Sequence, residues 1–139
     1  MNEWIIPVSI VLAVLSSSTI KEAIHLAKHH TFSWYTFFLE TGGMPSTHSA
    51  AVSALTTSIY YTQGISALFW ASLVFSAVIV RDAFGVRKSV SDQAELVNTL
   101  LSRADIEQKV NIILGHTPLQ ATIGVLVGIA SATTTWLIF

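Results

Sequence analysis

Four apolar stretches, each close to one bilayer long, constrain this chain more than any other feature. They run from about Trp4 to Ile20, Ser46 to Tyr61, Ile65 to Val80 and Pro118 to Ile138. At 1.5 Å of rise per residue they sit at the short end for a hydrocarbon core about 30 Å thick. Within lipid a backbone must satisfy its own hydrogen bonds, and a helix does so inside one segment. Only 11% of the 139 residues are charged, against about 25% in a soluble domain. The expected fold is therefore all-α: a single transmembrane domain over residues 1–139, with about four transmembrane helices plus an interfacial or re-entrant helical segment. The lipid bilayer is the first partner implied, and the chain reads as a multi-pass protein of the cell membrane.

The stretches differ in kind. The second is rich in Ser, Thr and Ala, which suits close helix packing better than contact with lipid. Gly64 separates it from the third, so these two read as a tight helical hairpin. The first begins without Lys or Arg; it lacks the basic start of a signal peptide and is read as a retained helix. Between the first two spans, residues from about Glu22 to Met44 mix His25, Lys28, His29 and His30 with Phe32, Trp34, Tyr35, Phe37 and Phe38. Aromatic residues beside charge are typical of the membrane–water boundary. From about Ala83 to Asn111 the charge is dense, and Val86, Val90, Val97 and Leu101 recur at helical spacing; this predicts an amphipathic helix on the surface. The basic connections, with Lys21 and Lys28 in one and Arg81, Arg87, Lys88, Arg103 and Lys109 in the other, fall on one side of a four-span bundle. The positive-inside rule makes that side cytoplasmic. There is no cysteine, which excludes disulfides and thiolate metal sites. A net charge of -1 gives no reason to expect nucleic acid.

Three polar clusters flank the basic connections. In Gly42-Gly43-Met44-Pro45-Ser46-Thr47-His48-Ser49, the glycines allow close backbone approach to a ligand. Ser46 is an N-cap for the second span. Such a helix start receives phosphate through its N–H groups and dipole, and His48 lies in its first turn. The second cluster is Arg81-Asp82, Gly85-Val86-Arg87-Lys88, then Gln93, Glu95 and Asn98; guanidinium groups grip phosphate through paired hydrogen bonds. In the third, Leu114-Gly115-His116-Thr117-Pro118, Thr117 caps the last span with proline at its first position, leaving His116 just outside. Two histidines at the starts of spans that leave one face, with cations around them, suit phosphoryl transfer. One neutral imidazole attacks phosphorus, a second protonates the departing alkoxide, and cations with backbone N–H groups hold the developing charge. A carboxylate or amide fixes the nucleophile's tautomer. No metal or other cofactor is required.

Plainer readings stand beside these. His48 suits a structural hydrogen bond at a helix start. Arg81 and Asp82 suit mutual neutralisation at a helix end. Arg87, Lys88, Arg103 and Lys109 suit topology signals or anionic-lipid contacts. His25 and His29 have metal-ligand spacing on a helix, but the aromatic residues around them favour an interfacial role.

The Gly-Gly-Met-Pro-Ser-Thr-His-Ser-Ala run at 42–50 resembles the Pro-Ser-Gly-His motif of type 2 phosphatidic acid phosphatases, relatives of bacterial acid phosphatases and vanadium haloperoxidases. Arg-Asp-Ala-Phe-Gly-Val-Arg-Lys at 81–88, Gln93-Ala94-Glu95 with Asn98, and Leu-Gly-His-Thr-Pro-Leu at 114–119 resemble the divergent branch of that superfamily. The resemblance covers nearly the whole chain. It implies that His116 is the nucleophile and His48 the proton donor to the leaving group, with Ser46 and Thr47 at phosphate-contacting positions. The chain departs from the parent pattern in three places. It has no upstream Lys-x6-Arg-Pro motif; Val110 stands where the parent has arginine; and Gln120 stands where it has aspartate. Arg81, Arg87 and Lys88 are the cations available to compensate, and Asp82 or Glu95 the carboxylates.

The implied function is dephosphorylation of a phosphorylated membrane lipid, such as phosphatidylglycerophosphate or phosphatidate, at the cytoplasmic face. The alternative is a non-catalytic binder or translocator of phosphorylated lipids such as undecaprenyl phosphate; a third reading is a structural subunit with no lipid ligand. A bundle this small is expected to pair with a second copy, most simply as a homodimer.

Overall fold

The computed structural model describes residues 4–32, 34, 43–110 and 116–139, with the backbone alone for residues 29 and 86–88. All of the regular structure among them is helical: α1 (Ile5–His29), α2 (Thr47–Gln63), α3 (Ala67–Phe84), α4 (Val86–Arg103) and α5 (Pro118–Ile138). The chain is a helical membrane bundle. α1, α3 and α5 are long and apolar enough to cross a bilayer. α2, at 17 residues, is not among them, and the packing gives the reason. It lies against α1, α3 and α5 at once, so protein rather than lipid surrounds it and a polar composition costs little.

The interior of this bundle is small and hydroxylic, and the large apolar side chains point outward. Ala13, Ala50, Ala54 and Ala132 form the central apolar cluster. Around them Ser9, Ser17, Ser49, Ser53, Thr56, Ser58, Ser131 and Thr135 are buried, whereas Val11, Leu15, Leu73, Val74, Phe75, Leu126 and Leu137 are exposed. In water this pattern would be inverted. In lipid, where helices gain little by hiding leucine from one another, small residues that let backbones approach are what hold helices together.

The closest approach is between α2 and α5. Gly124 and Gly128, four residues apart on α5, lie directly on the backbone of Ser46 and Ala50, and a side-chain carbon at either glycine would overlap those carbonyl oxygens. Ser53 Oγ donates across the seam to the Val125 carbonyl at 3.1 Å, and Ser46 N–H donates to the Gln120 carbonyl at 3.1 Å. α3 is held to α2 through Thr56 and Ser76, whose hydroxyls meet at 2.8 Å, with Ser76 also donating to the Val52 carbonyl.

The first span is longer than its sequence predicts. A boundary near Ile20 was expected because Lys21 and Glu22 end the apolar run. Instead α1 continues to His29 and stops where His30 turns left-handed, at φ 54°. Ala23, Leu26 and Ala27 are good helix formers and no glycine or proline interrupts them, so Lys21, Glu22 and His25 are helical residues rather than parts of a connection. The remainder of the expected interfacial segment, at 33 and 35–42, lies outside the described residues. The amphipathic helix is present as α4. It follows α3 directly after Gly85 and leaves Val90, Leu96, Val97 and Leu100 exposed.

The ends of the bundle are unlike. Tyr61 stacks on Trp136 with ring centroids 5.5 Å apart, and Tyr60 packs on Phe69, at the end where α2 and α5 finish and α3 begins. Toward the other end lie Lys21, buried on α1, and Arg81 in the last turn of α3.

Candidate functional site

Three helix ends meet at the basic end of the bundle. α2 and α5 both start there, and α3 finishes there. Ser46 caps α2, accepting from Ser49 N–H at 3.4 Å. Thr117 caps α5 in a reciprocal capping box: Gln120 N–H donates to Thr117 Oγ1 at 3.3 Å, and Thr117 N–H donates to Gln120 Oε1 at 2.9 Å. Both caps, and proline at the first position of α5, match the expectation from sequence. The cap holds His116 one residue before α5. Its backbone N–H donates to the Ala83 carbonyl in the last turn of α3 at 3.0 Å, which fixes the histidine between α3 and α5.

The His116 ring is enclosed. Its residue is 1% exposed, and Nδ1 lies 3.1 Å from the Gly43 carbonyl oxygen. A carbonyl can only accept, so Nδ1 carries the hydrogen and the lone pair of the neutral ring is left on Nε2. Gly43 makes this approach at φ +87°, a left-handed conformation that favours glycine. Burial lowers the His116 pKa below the ordinary 6.5; the Lys21 charge lowers it further, hydrogen bonds to the Gln120 side chain and the Gly43 carbonyl oppose the shift, and His48 adds a small push downward. The net direction is toward a neutral imidazole at neutral pH.

Lys21 is the residue that sequence reasoning left out. Its place after an apolar run marks it as a topology signal, yet it is only 6% exposed. Its methylenes run alongside Gly43: Cγ lies 3.6 Å from where a side-chain carbon of that glycine would be, and its charge is felt at His116. A signal was available. Lys21 and Lys28 keep the Lys-x6 spacing of the parent family's upstream motif, with lysine in place of arginine and no proline after it; Lys28 is exposed. Glu22 follows Lys21, 5% exposed, with Oε1 3.9 Å from His25 Nδ1.

The other residues singled out from sequence fall in different places. His48 is exposed in the first turn of α2, near enough to His116 to affect its charge. Thr47 is half-buried beside it. Arg81 is exposed, with its guanidinium 5.7 Å from the Phe84 ring centroid. Arg81 and Asp82 line a cavity of about 460 Å³ with Val78, Gly85 and Ser89, on a face of α3 other than the one whose Ala83 carbonyl holds His116. Arg87 and Lys88 belong to the first turn of α4, and their side chains lie outside the described residues, as do Gly42, Leu114 and Gly115. Glu95 is exposed on α4. Asn98 has a structural task. Its Nδ2 donates to the Val110 carbonyl at 2.9 Å and its Oδ1 accepts from Val110 N–H at 2.7 Å, so one amide pins the returning chain as a strand neighbour would. Among the described residues, no three His, Asp or Glu side chains stand together as a metal site.

The cluster as a whole consists of an enclosed imidazole whose Nδ1 faces a carbonyl, a buried lysine beside it, a second histidine at a helix start, and the dipoles of α2 and α5 directed at the same end. Chemically, such a cluster presents a basic ring nitrogen, a second imidazole and positive potential.

Comparison with known proteins gives the same direction. Residues 2–131 match the family model described as the divergent PAP2 family. The chain is 32% identical over 134 residues to a protein of Bacillus subtilis (strain 168) named "Uncharacterized membrane protein YuiD", with 84% of each chain covered. No solved structure matches. The chain therefore belongs to the divergent PAP2 family of membrane proteins.

Proposed function

We propose that this chain is a metal-independent lipid phosphate phosphatase of the cell membrane, acting at the cytoplasmic face through a phosphohistidine. The observation that carries the reading is the Nδ1 contact of His116 to the Gly43 carbonyl, which leaves Nε2 as the basic atom. In the reaction Nε2 forms a bond to phosphorus as the bond from phosphorus to the lipid oxygen breaks. His48, as imidazolium, gives its proton to the departing alkoxide. Water then attacks the phosphohistidine, neutral His48 takes a proton from it, and inorganic phosphate leaves. Lys21, the start of α2 with Ser46 and Thr47, and the Arg81, Arg87 and Lys88 group supply the positive potential. Gln120 and the Gly43 carbonyl do for the His116 tautomer what the parent family's aspartate does. Asp82 and Glu95 act at a distance, through charge. All seven Lys and Arg residues fall in or beside the connections after the first and third spans, which supports a cytoplasmic orientation, and with it a phospholipid such as phosphatidylglycerophosphate or phosphatidate.

One observation favours a second reading. At 1% exposure, His116 is enclosed, which also suits a non-catalytic binder or translocator of phosphorylated lipids whose buried histidine is structural. Phosphate release from a panel of lipid phosphates separates the two. The phosphatase reading expects release by the native protein that is lost in His116→Ala and His48→Ala, insensitive to chelator and blocked by vanadate. No release from any lipid, with binding retained in His116→Ala, would establish the binder. A cross-linked dimer in native membranes would support the homodimer; a monomer there would remove it.

A further inference from the structure

α3 rests on α2 and barely touches α5. Where the two part, a cleft of about 320 Å³ remains with α2 as its floor, bounded by Leu73, Ala77 and Val80 of α3, Ser53 of α2, and Val125 and Ile129 of α5. Of the hydroxyl side chains along it, which include Thr57, those of Ser53, Thr56 and Ser76 are turned to other uses. Ser53 Oγ lies within hydrogen-bond distance of two carbonyls of its own helix and of the Val125 carbonyl, and its one hydrogen is shared among them. Thr56 and Ser76 bond to each other, and Ser76 to the Val52 carbonyl. With those hydroxyls engaged, what Ser53, Thr56 and Ser76 offer the cleft is carbon.

The cleft is also in register with the histidine. Val80 lies three residues before Ala83, whose carbonyl holds His116. Ser53 lies seven residues into α2 from its cap, and Val125 seven residues into α5 from Pro118. At 1.5 Å per residue its near end is about 5–10 Å from the phosphate position, and its long axis follows α3 away from that position for about 10 Å. An anion site at a helix start, continued by a hydrocarbon-lined cleft toward the bilayer centre, has the shape of one amphiphile with a phosphate head and an apolar tail.

We infer that this cleft takes one hydrocarbon chain of the substrate itself, so that the protein selects long-chain lipid monophosphates over soluble phosphate esters. The inference rests on the proposed phosphatase reading, and the two fail in distinguishable ways. The experiment compares kcat/KM for dioleoyl phosphatidate in mixed micelles with that for the water-soluble dibutanoyl analogue, in the native protein, in Ala77→Trp, and in Val74→Trp. Ala77 lines the cleft, whereas Val74 is exposed on α3 outside that lining. Ala77→Trp is expected to lower kcat/KM for the long-chain substrate by at least about tenfold and to leave the short-chain value within about twofold, with Val74→Trp changing neither. Equal loss on both substrates, or no loss on either, overturns the inference.

A second measurement stands apart from turnover and from the folding of any variant. Phosphatidate carrying a diazirine in one acyl chain should label the native protein between Leu73 and Val80. Unlabelled phosphatidate, but not diacylglycerol, should compete that labelling away. Labelling displaced equally by both lipids would mean that the cleft holds only bulk bilayer lipid, and would overturn the inference even in an active enzyme. Absence of turnover on both substrates with competition by phosphatidate intact would instead retire the phosphatase reading and leave the cleft as part of a lipid-phosphate binder.

Discussion

The seam between α2 and α5 and the end of the bundle around His116 are both rich in buried polar side chains, but they use them in opposite ways. Along the seam the polar groups are hydroxyls, and those of Ser53, Ser131 and Thr135 donate to backbone carbonyls within about one helical turn or across the interface. Nothing there carries charge, and the glycines press backbones together. Around His116 the buried groups include ionisable ones: Lys21, Glu22 and the histidine itself. A buried charge is costly at membrane depth, and Lys21 pushes the His116 pKa down, so the second region is not arranged for stability. The contrast separates two meanings of a buried polar residue in a membrane helix: hydroxyls that consume their own hydrogen-bonding capacity are packing elements, and ionisable groups gathered at one helix end are a site.

That contrast is most severely tested at Gly128. A leucine there must overlap the Ala50 carbonyl and Ser53; overpacking typically costs about 1–3 kcal/mol, and a backbone oxygen that cannot yield puts this case at or beyond the upper end. Gly128→Leu should fail to give a cooperative thermal transition in detergent. A transition within a few degrees of the native protein's would mean that the seam is not the close contact described.

At the other region the expected loss is of activity rather than fold. Removing one charge that stabilises a transition state typically costs about 100-fold in rate, so Lys21→Met should lose phosphate release by about that factor and keep its thermal transition. It should also raise the His116 pKa back toward 6.5, because the Lys21 charge is a cause of the depression. Imidazole nitrogen NMR of the ligand-free protein reads this directly. A His116 titration identical in both proteins would remove Lys21 from the site.

The same depression sets a pH dependence of stability. The folded His116 pKa lies below 6.5, so as pH falls through 6.5 the unfolded chain takes up its proton first. The stability contributed by neutral His116 is present above that pH and is lost as pH falls toward the lower, folded value. Thermal scans from pH 8 to pH 5 should show this loss in the native protein and less of it in His116→Ala. The smallest effect is expected within the seam. Ser53→Ala removes a hydroxyl bond between helices, worth about 0.6 kcal/mol on average in membrane proteins, and should barely move the thermal transition.

The two regions were also unequally legible in the sequence. The helix starts at Ser46 and Thr117-Pro118 are local signals, read within four residues, and they position both histidines without any knowledge of the fold. The serine- and alanine-rich second span announced its packing role through composition alone. Lys21 was not read as part of the site because hydropathy treats a lysine after an apolar run as the end of a span. Only the continuation of α1 to His29 turns that lysine inward, and only the motif spacing to Lys28 hinted at it. The tasks of Asn98 and of the Gly43 carbonyl were invisible for another reason. Each is a pairing between a side chain and a distant backbone group, 12 and 73 residues away, and neither composition nor periodicity encodes such a contact.

The central claim is that Nε2 of His116 becomes covalently bonded to phosphorus. The direct measurement is to mix the protein with phosphatidate labelled with radioactive phosphorus, quench in alkali within the first turnover, and ask whether label stays on the chain. The account predicts label that is stable to base and labile to acid, located on the peptide containing His116, slow to form in His48→Ala and absent in His116→Ala. Phosphate release by His116→Ala at the native rate, or label carried on any other residue, would contradict it.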